Sequence, residues 1–424
     1  MKHRSIAAVT AVLTLAFGVA TASTAMGASS NTLTVWLQTD PQSSPAWMAD
    51  IAAADSAFEA QNPGWTVNHV YLPWGTHLQS LDTQLAAWTP GTSPDVVEMG
   101  NTETTKYMAE GAFLNLTGDK SQFQNSKDWL SGLTASATFD GKLYAVPYYA
   151  GSRVITYRSD LFAKAGIKAL PKSLSQFETD LEKVGAKEKN VKGFSPMYVG
   201  GEDWYTALGF VFDYGGSIAK YEHGKWVGTL DSKNSIAGLT AFQNFFDATQ
   251  PKSSATQNGS APDPIPYTVF SEGKTAANYG PAWYTCCTGK NYAKVTKQFV
   301  MPSHTPGLSM PGFLGGSDLA VPAESTNQAQ AIQWIADYTD TTSEKALDAI
   351  GNIPNATNLL TNSVNDRAAA RSWFVPQAVN WVNVENGNIL PTMLGAILTG
   401  QLTVTQAATV ASENIAQTLN APAS

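Results

Sequence analysis

Between Asn31 and Gly100 the hydrophobic period of the chain switches repeatedly between that of a strand and that of a helix. No other feature restricts the fold as much. NTLTVWLQTD alternates Leu33, Val35 and Leu37, one side chain to each face, as a strand does. Residues 46–61, AWMADIAAADSAFEAQ, then carry Met48, Ile51, Ala54, Ala57 and Phe58 at helical spacing until Asn62-Pro63-Gly64 stops them. WTVNHVYLP predicts a second strand and HLQSLDTQLAAW a second helix, ended by Pro90-Gly91. PDVVEMG predicts a short buried third strand, and KYMAEGAFLNL a helical segment broken at Gly111. Such alternation implies a parallel sheet wrapped by helices, with ligand at the carboxyl ends of the strands.

The alternation continues along the chain. GKLYAVPYYAGSRVITYRSDLFAKAG holds two β-rich runs around Pro147, then a helix from about Ser159 to Ala165. SLSQFETDLEKVGAK is a helix capped at Ser173 or Ser175, and DSKNSIAGLTAFQNFFDA is another. PKSSATQNGSAPDPIP is a polar, proline-rich loop, and LGGSDLAVP a glycine-hinged strand. NQAQAIQWIADYTD, SEKALDAIG and TVTQAATVASENIAQTLN, capped near Thr403, are helices. There is no internal repeat and no long linker, so two domains would have to interleave. Two are expected, because the 396 residues after residue 28 exceed what one core usually supports.

The first 28 residues read as a secretory signal peptide. Lys2, His3 and Arg4 precede an almost wholly apolar run from Ile6 to Ala20, followed by the small residues Ala22, Ser23, Ala25, Gly27 and Ala28. The run is too short to be a comfortable membrane span, and no later stretch approaches the ~20 apolar residues of one. The chain from residue 29 is therefore expected outside the cytoplasm as a soluble monomer. Residues 29–424 hold 24 basic against 34 acidic side chains, a net of −10, with no basic cluster. That balance argues against nucleic acid or an anionic membrane as partner.

Eight stretches, in order and spacing, carry a family resemblance: LTVW, FEAQNPGWTVNHVYLPW, GTSPDVVEMG, MAEGAFLNLT, DGKLYAVPYYAGSRVITYRSDLFAKAGI, FSEGKTAANYGPAW, FLGGSDLAVPAES and ILPTMLGAILTGQLTVTQAATVASENIAQTL. Over residues 32–420 the chain resembles the extracellular solute-binding proteins of carbohydrate ABC importers, of the maltodextrin and oligosaccharide type. The resemblance implies a periplasmic-binding-protein-like fold of two interleaved α/β lobes. Hinge crossovers would fall near Pro147–Ser152, Gly312–Ser317 and Gly351–Asn355. The N-lobe would take residues 29–147 with about 314–352, and the C-lobe 148–313 with about 353–424. The implied function is to capture a di- or oligosaccharide in the cleft, close on it, and deliver it to the membrane permease subunits, without a cofactor. Two departures stand out. No lipobox cysteine follows the signal peptide, so a lipid anchor is not implied. Arg158 follows Tyr157 where the family often has Asn or Asp.

A sugar presents hydroxyls at its rim and C–H groups on its faces, so its site needs flat aromatics with a few amide, carboxylate or guanidinium groups. The expected cleft loops supply them: Trp36 and Gln38 after the first strand, Trp74 and His77 after the second, and Glu98 and Asn101 at the third. Tyr148 and Arg153 stand at the first crossing, Asp203 and Trp204 in a GGEDW loop, and Trp283 in GPAWY. GGSD offers the Gly316 amide, Ser317 and Asp318, and VNWVNVEN offers Asn380 and Trp381. Each has a plainer reading. Trp36 could be a packed edge residue, Glu98 a turn cap, and Asp318 a partner of hinge amides. Glu202 and Asp203 could be solvated, and Arg153 could bridge the lobes. Trp88, Trp129, Trp226 and Trp334 read as packing residues, since most aromatics are core. Gly315 and Gly316 suit a hinge because glycine reaches unusual backbone angles.

Catalysis is not expected. The five histidines lack metal-ligand spacing, and no nucleophile elbow or phosphate loop occurs. Glu98, Glu202, Asp203 and Asp318 could form a hydrolytic pair only by a separation the sequence does not fix. A secreted carbohydrate-active enzyme, or a lectin acting on polysaccharide without an importer, is the alternative to a receptor.

The only cysteines, Cys286 and Cys287, are adjacent. Two ligands alone make a poor structural metal site, and a bridge between neighbours closes almost no chain loop, so a stabilising staple is excluded. Two readings stay open: a vicinal disulfide forming a rigid apolar ledge beside Trp283, or two free buried thiols.

Overall fold

The computed structural model describes residues 31–422, and the segment assigned as a signal peptide lies outside the described residues. In chain order the main strands are β1 (Asn31–Gln38), β2 (Trp65–Leu72), β3 (Val96–Gly100), β4 (Ala145–Gly151), β5 (Arg153–Arg158) and β6 (Ala277–Pro281). They continue as β7 (Thr296–Phe299), β8 (Gly312–Phe313), β9 (Gly315–Ala320), β10 (Ile353–Pro354) and β11 (Ser372–Trp373). Two sheets dominate. A six-stranded sheet has the order β10-β4-β9-β3-β1-β2, and a three-stranded one the order β6-β5-β7.

The first sheet is parallel only where the sequence alternates strand with helix. β1 runs parallel to β2 and β3, with Leu33 opposite Val67 and Val35 opposite Val96. β9 is antiparallel to β3 and β4, and β10 is antiparallel to β4. The reason is connectivity. β9 re-enters the sheet from the other core with no crossover from β3 or β4, so the rule that makes βαβ units parallel does not bind it to them, whereas β10, reached from β9 through the helices Gln328–Tyr338 and Thr341–Ala349, runs parallel to β9 on the far side of β4. Helices Pro45–Gln61 and Gln328–Tyr338 cover this sheet around a core that includes Leu33, Phe58, Trp334 and Tyr338. The second sheet is antiparallel, extended by parallel bridges from Ser195 to Thr275 and from Tyr198 to Asn278. Its core gathers Phe177, Phe210, Phe245, Trp381 and Ile415 from helices spread between Leu174 and Leu419.

Local chemistry sets the helix starts. Ser44 accepts from the Trp47 amide at 3.3 Å, and Ser173, not Ser175, accepts from the Gln176 amide at 3.2 Å. Thr403 and Gln406 form a reciprocal capping box. Arg158 forks onto Asp160 at 2.8 and 2.6 Å, and its guanidinium lies 3.8 Å over the Tyr292 ring. That stacked pair accounts for a long cation at this position.

The chain passes from one core to the other three times. It leaves at Ser152 between β4 and β5 and returns at Leu314 between β8 and β9. The third passage lies later than 351–355. Ile353 and Pro354 still pair with β4, the Asn355 amide group donates to the Pro147 carbonyl at 2.9 Å, and Leu359 packs in the first core. Val364 and Ala368, beyond them, pack with Val154 of β5. Ala150 and Leu314, at the first two passages, meet Leu133 and Ile353 in a small apolar cluster of their own, with Ala369 from beyond the third passage packed against it.

Gly316 owes its identity to strand spacing. It is not among the positive-φ glycines, but a Cβ there would run into the Tyr149 carbonyl oxygen and lie 2.9 Å from the Ala150 Cα. β9 and β4 approach too closely at this point for any other residue.

Candidate functional site

The carboxyl ends of β1 and β3 converge on the passages between the sheets, and polar groups of both lobes collect there. On the first-lobe side Gln38 donates its backbone N–H to Glu98 Oε2 at 2.8 Å and its side-chain amide to the Glu98 carbonyl at 3.2 Å. Gln38 Oε1 has no partner, although the side chain is buried. Burial pushes Glu98 up to about 7, and nearby Asp40 adds to this; the Gln38 amide, the Ser317 hydroxyl and His77 oppose it. Tyr149 faces the same group. Burial, Glu98 and Asp40 push its phenol well above the usual range.

Trp74 overhangs this wall at 39% exposure and donates its indole N–H to Asp40 at 2.6 Å. His77 sits behind it as a brace. Its Nδ1–H donates to the Trp74 carbonyl at 2.7 Å, and its Nε2 lies 2.8 Å from Glu103, which also accepts from the Gly100 amide at 3.0 Å. Burial would lower the His77 pKa, but Glu103 and the Trp74 carbonyl outweigh it and raise it above the ordinary value.

The second-lobe wall is built on the helix Trp204–Asp213, where the sequence reading expected a loop. Asp203 is its N-cap, accepting from the Thr206 amide at 3.4 Å and the Thr206 hydroxyl at 2.9 Å. Arg153 joins Asp203 at 2.8 Å and lies over the Tyr205 ring at 5.3 Å. Burial works against the Arg153 charge most strongly of any one influence, but Asp203 together with Tyr284, Tyr279 and Tyr205 outweighs it, so the guanidinium pKa is raised. Trp204 stacks on Tyr205 with centroids 3.8 Å apart, its far side packed against Phe313, Trp373 and Trp381. Glu385, one turn after Trp381, accepts from the Trp381 indole and from Thr102 Oγ1 of the first lobe at 3.5 Å. Burial pushes Glu385 up to about 7, and Glu103 across the gap adds to this.

Several anticipated residues lie elsewhere. Tyr148 is fully buried in the first core, bonded to Tyr338 and Trp47. Strand alternation turns Tyr149 to the site in its place. Trp36 is packed in that core. Asp318 is fully buried, accepting from Thr104 at 2.8 Å and Ser136 at 3.2 Å, which leaves neither oxygen for a ligand. Asn101 donates its side-chain amide to the Leu314 carbonyl at 3.1 Å and its backbone N–H to the Gly316 carbonyl at 3.0 Å, tying β3 to the second passage. Asn380 holds the Ala421 carbonyl at 2.7 Å, and Trp381 is buried. Ser317 is also buried, beside Glu98 and Tyr149. Glu202 lies against Gly395 and takes no part in the group. Sequence reasoning missed Asp40, Tyr149, Tyr205, Thr102, Glu103 and Glu385. Only Glu385 carried a signal, since it stands four residues after Trp381 on one helix face.

Cys286 and Cys287 are joined as a vicinal disulfide, and both are exposed. Trp283, at 39% exposure, precedes them on the same short turn. A surface cavity of about 590 Å³ lined by Phe194, Tyr198, Gln257, Pro262, Glu272 and Lys274, among others, contains none of the anticipated residues.

A family profile described as bacterial extracellular solute-binding protein matches residues 39–342. The diacetylchitobiose binding protein DasA of Streptomyces coelicolor is 33% identical over 387 residues, covering 88% of this chain and 87% of that one. The maltodextrin-binding protein MdxE of Bacillus subtilis is 23% identical over 291 residues, 67% of this chain and 65% of its own. Among solved structures, the GacH receptor of Streptomyces glaucescens superposes with a TM-score of 0.76 at 19% identity, over 92% of this chain and 98% of the receptor. The sugar-binding protein MalE of Xanthomonas citri also gives 0.76 at 19% identity, covering 92% and 97%.

Proposed function

The chain belongs to the bacterial extracellular solute-binding protein family, and on that premise we propose that it captures an oligosaccharide between its lobes and presents it to the permease of an ABC importer. It is a binding protein and not an enzyme. One observation carries the choice of ligand. All twelve tryptophans lie among the described residues, and only Trp74 and Trp283 are exposed. They stand on opposite lobes beside the passages that join them. Buried indoles stabilise a core, whereas exposed ones on facing walls suit stacking on the C–H faces of successive sugars.

The polar groups we assign to the ligand are Gln38 Oε1, Asp40, Glu98, Arg153 and Glu385, with Tyr149 and Tyr205 as inner platforms. Trp204 and His77 support them from behind. Buried polar groups that only the right sugar can pair give selectivity. The similarity to a diacetylchitobiose binding protein makes N-acetylated chitooligosaccharides the first ligands to try, ahead of maltooligosaccharides. The lobes are taken to divide as 29–147 with 314–359, and 148–313 with 360–424, because Leu359 packs in the first core and Ala368 on the second sheet. Among the described residues no helix is long and apolar enough to cross a membrane. The chain is taken to act as a monomer outside the cytoplasm.

Titration calorimetry with both sugar series, combined with product analysis, tests this reading. Saturable binding without new reducing ends supports it. Release of reducing ends, or no binding to any sugar, overturns it.

A further inference from the structure

We propose that the Cys286–Cys287 disulfide is itself a sugar-contacting surface, continuing the Trp283 platform and setting how many sugar units the second lobe grips. The inference deepens the receptor reading and rests on it. Ala282–Cys287 is a 3₁₀ turn. Three residues per turn put positions i and i+3 on one face, so Trp283 and Cys286 share a face. Tyr284, on another, is buried against Gly280 and lies near Arg153. Trp283, Cys286 and Cys287 are all exposed, and the shared face sets the disulfide one turn along from the indole as a second apolar surface of the same strip.

The strip lies at the rim between the lobes. A Cβ on Gly351, just before β10, would be 3.7 Å from the Trp283 Cα, and the indole is braced edge-on by Tyr284 with centroids 4.9 Å apart. A bond between adjacent residues closes too small a loop to restrain the unfolded chain appreciably. What it changes is local. It fixes the peptide between the two residues and replaces two mobile thiols with one rigid, polarizable, apolar surface. A saccharide stacked on Trp283 and running along this face lays its next C–H-rich ring over the sulfurs.

The test uses the full-length exported chain. Affinities for N,N′-diacetylchitobiose and its longer oligomers, and for maltose and its longer oligomers, are measured on three samples. These are the wild type, the wild type reduced with a phosphine, and the Cys286→Ala/Cys287→Ala double variant. Unchanged thermal midpoints establish that the altered samples are folded, and the reduced wild type serves if the variant is not. Binding of the longer oligomers is expected to weaken about fivefold in the altered samples, the scale set by a few tens of Å² of apolar contact, with disaccharide affinity retained. Equal length dependence in all three samples overturns the proposal and leaves the receptor reading standing. A wild type that binds no sugar overturns both.

Discussion

Replacing Gly316 by alanine separates two explanations of that glycine, a flexible hinge or a tight strand contact. The built Cβ would lie 2.9 Å from the Ala150 Cα and closer still to the Tyr149 carbonyl oxygen. Carbon atoms rest about 3.5–4.0 Å apart, so β9 and β4 must separate by at least ~0.6 Å at this point. Both atoms are backbone, so no side-chain rotation relieves the contact. Overpacking of this kind costs about 1–3 kcal/mol, and weakening one or two adjacent ladder hydrogen bonds adds about 1 kcal/mol each. The expected loss is therefore about 2–5 kcal/mol. Sugar affinity should fall as well, because Tyr149 moves with its carbonyl. Gly151 supplies a matched control. It pairs with Gly315 in the same ladder, and a Cβ there meets nothing within 4 Å. Urea titration followed by tryptophan fluorescence, with calorimetry for the ligand, reads both effects. If Gly316→Ala matches Gly151→Ala in midpoint, the close-approach argument is wrong.

Other substitutions address the site and its charges. Arg153→Ala should weaken sugar binding at least about tenfold while costing stability less than the about 3–5 kcal/mol of a stranded buried charge, because Thr206 and the helix N-terminus still hold Asp203; a large stability loss with affinity intact would make Arg153 purely structural. Trp74→Ala should reduce affinity with the urea midpoint unchanged, whereas Trp204→Ala should cost about 3–5 kcal/mol of stability; identical profiles would refute the division between exposed and packed indoles. Burial pushes Asp318 from its ordinary value of 3.8 up to about 7. Across that window the folded chain keeps a proton that the unfolded chain releases, so stability falls as pH rises through it, by at most ~4 kcal/mol from this group. Asp318→Asn should flatten the slope, and unchanged urea midpoints against pH would contradict the assignment. Charging Glu385, held near 7 opposite Glu103, opposes lobe closure. Wild-type sugar affinity should therefore fall as pH rises through about 7, and Glu385→Gln should lose part of that dependence while Glu98, also pushed up to about 7, keeps its own share; a pH profile shared by both proteins would rule Glu385 out.

What was legible in the sequence was local. The periodicity of residues 31–100 predicts β1, β2 and β3 and the helices between them, and Ser173 and Thr403 announce their helices by hydrogen bonds spanning only three residues. The first two passages, at Ser152 and Leu314, lie within the stretches Pro147–Ser152 and Gly312–Ser317. The third lies later than Gly351–Asn355, because a ladder between β10 and β4 holds Ile353 and Pro354, a pairing some 200 residues apart that no local pattern reveals. Tyr148 and Tyr149 are chemically alike, and which one faces the ligand depends on register alone. Asp203 stands directly before the apolar run WYTALGFVF, a helix start that two preceding glycines disguised as a loop. Asp318 and Asn380 have the right chemistry for a sugar, but tertiary partners already occupy their hydrogen-bonding groups.

The threefold passage of the chain also sets the order in which it can fold. The first core needs residues from Leu33 to Leu359, and the second needs residues from Ile155 to Leu419. During synthesis neither hydrophobic interior can be sealed until more than four-fifths of the polypeptide has emerged, and the second waits for the last helix. A chain arrested at Ala320 would hold β1, β3 and β9 but lack Trp334 and Tyr338, and its second half would lack Trp381 and Ile415. The interleaving that lets both halves grip one sugar thus makes them late and nearly simultaneous in maturing, so a nascent chain stays open, and dependent on protection from aggregation, almost to its end.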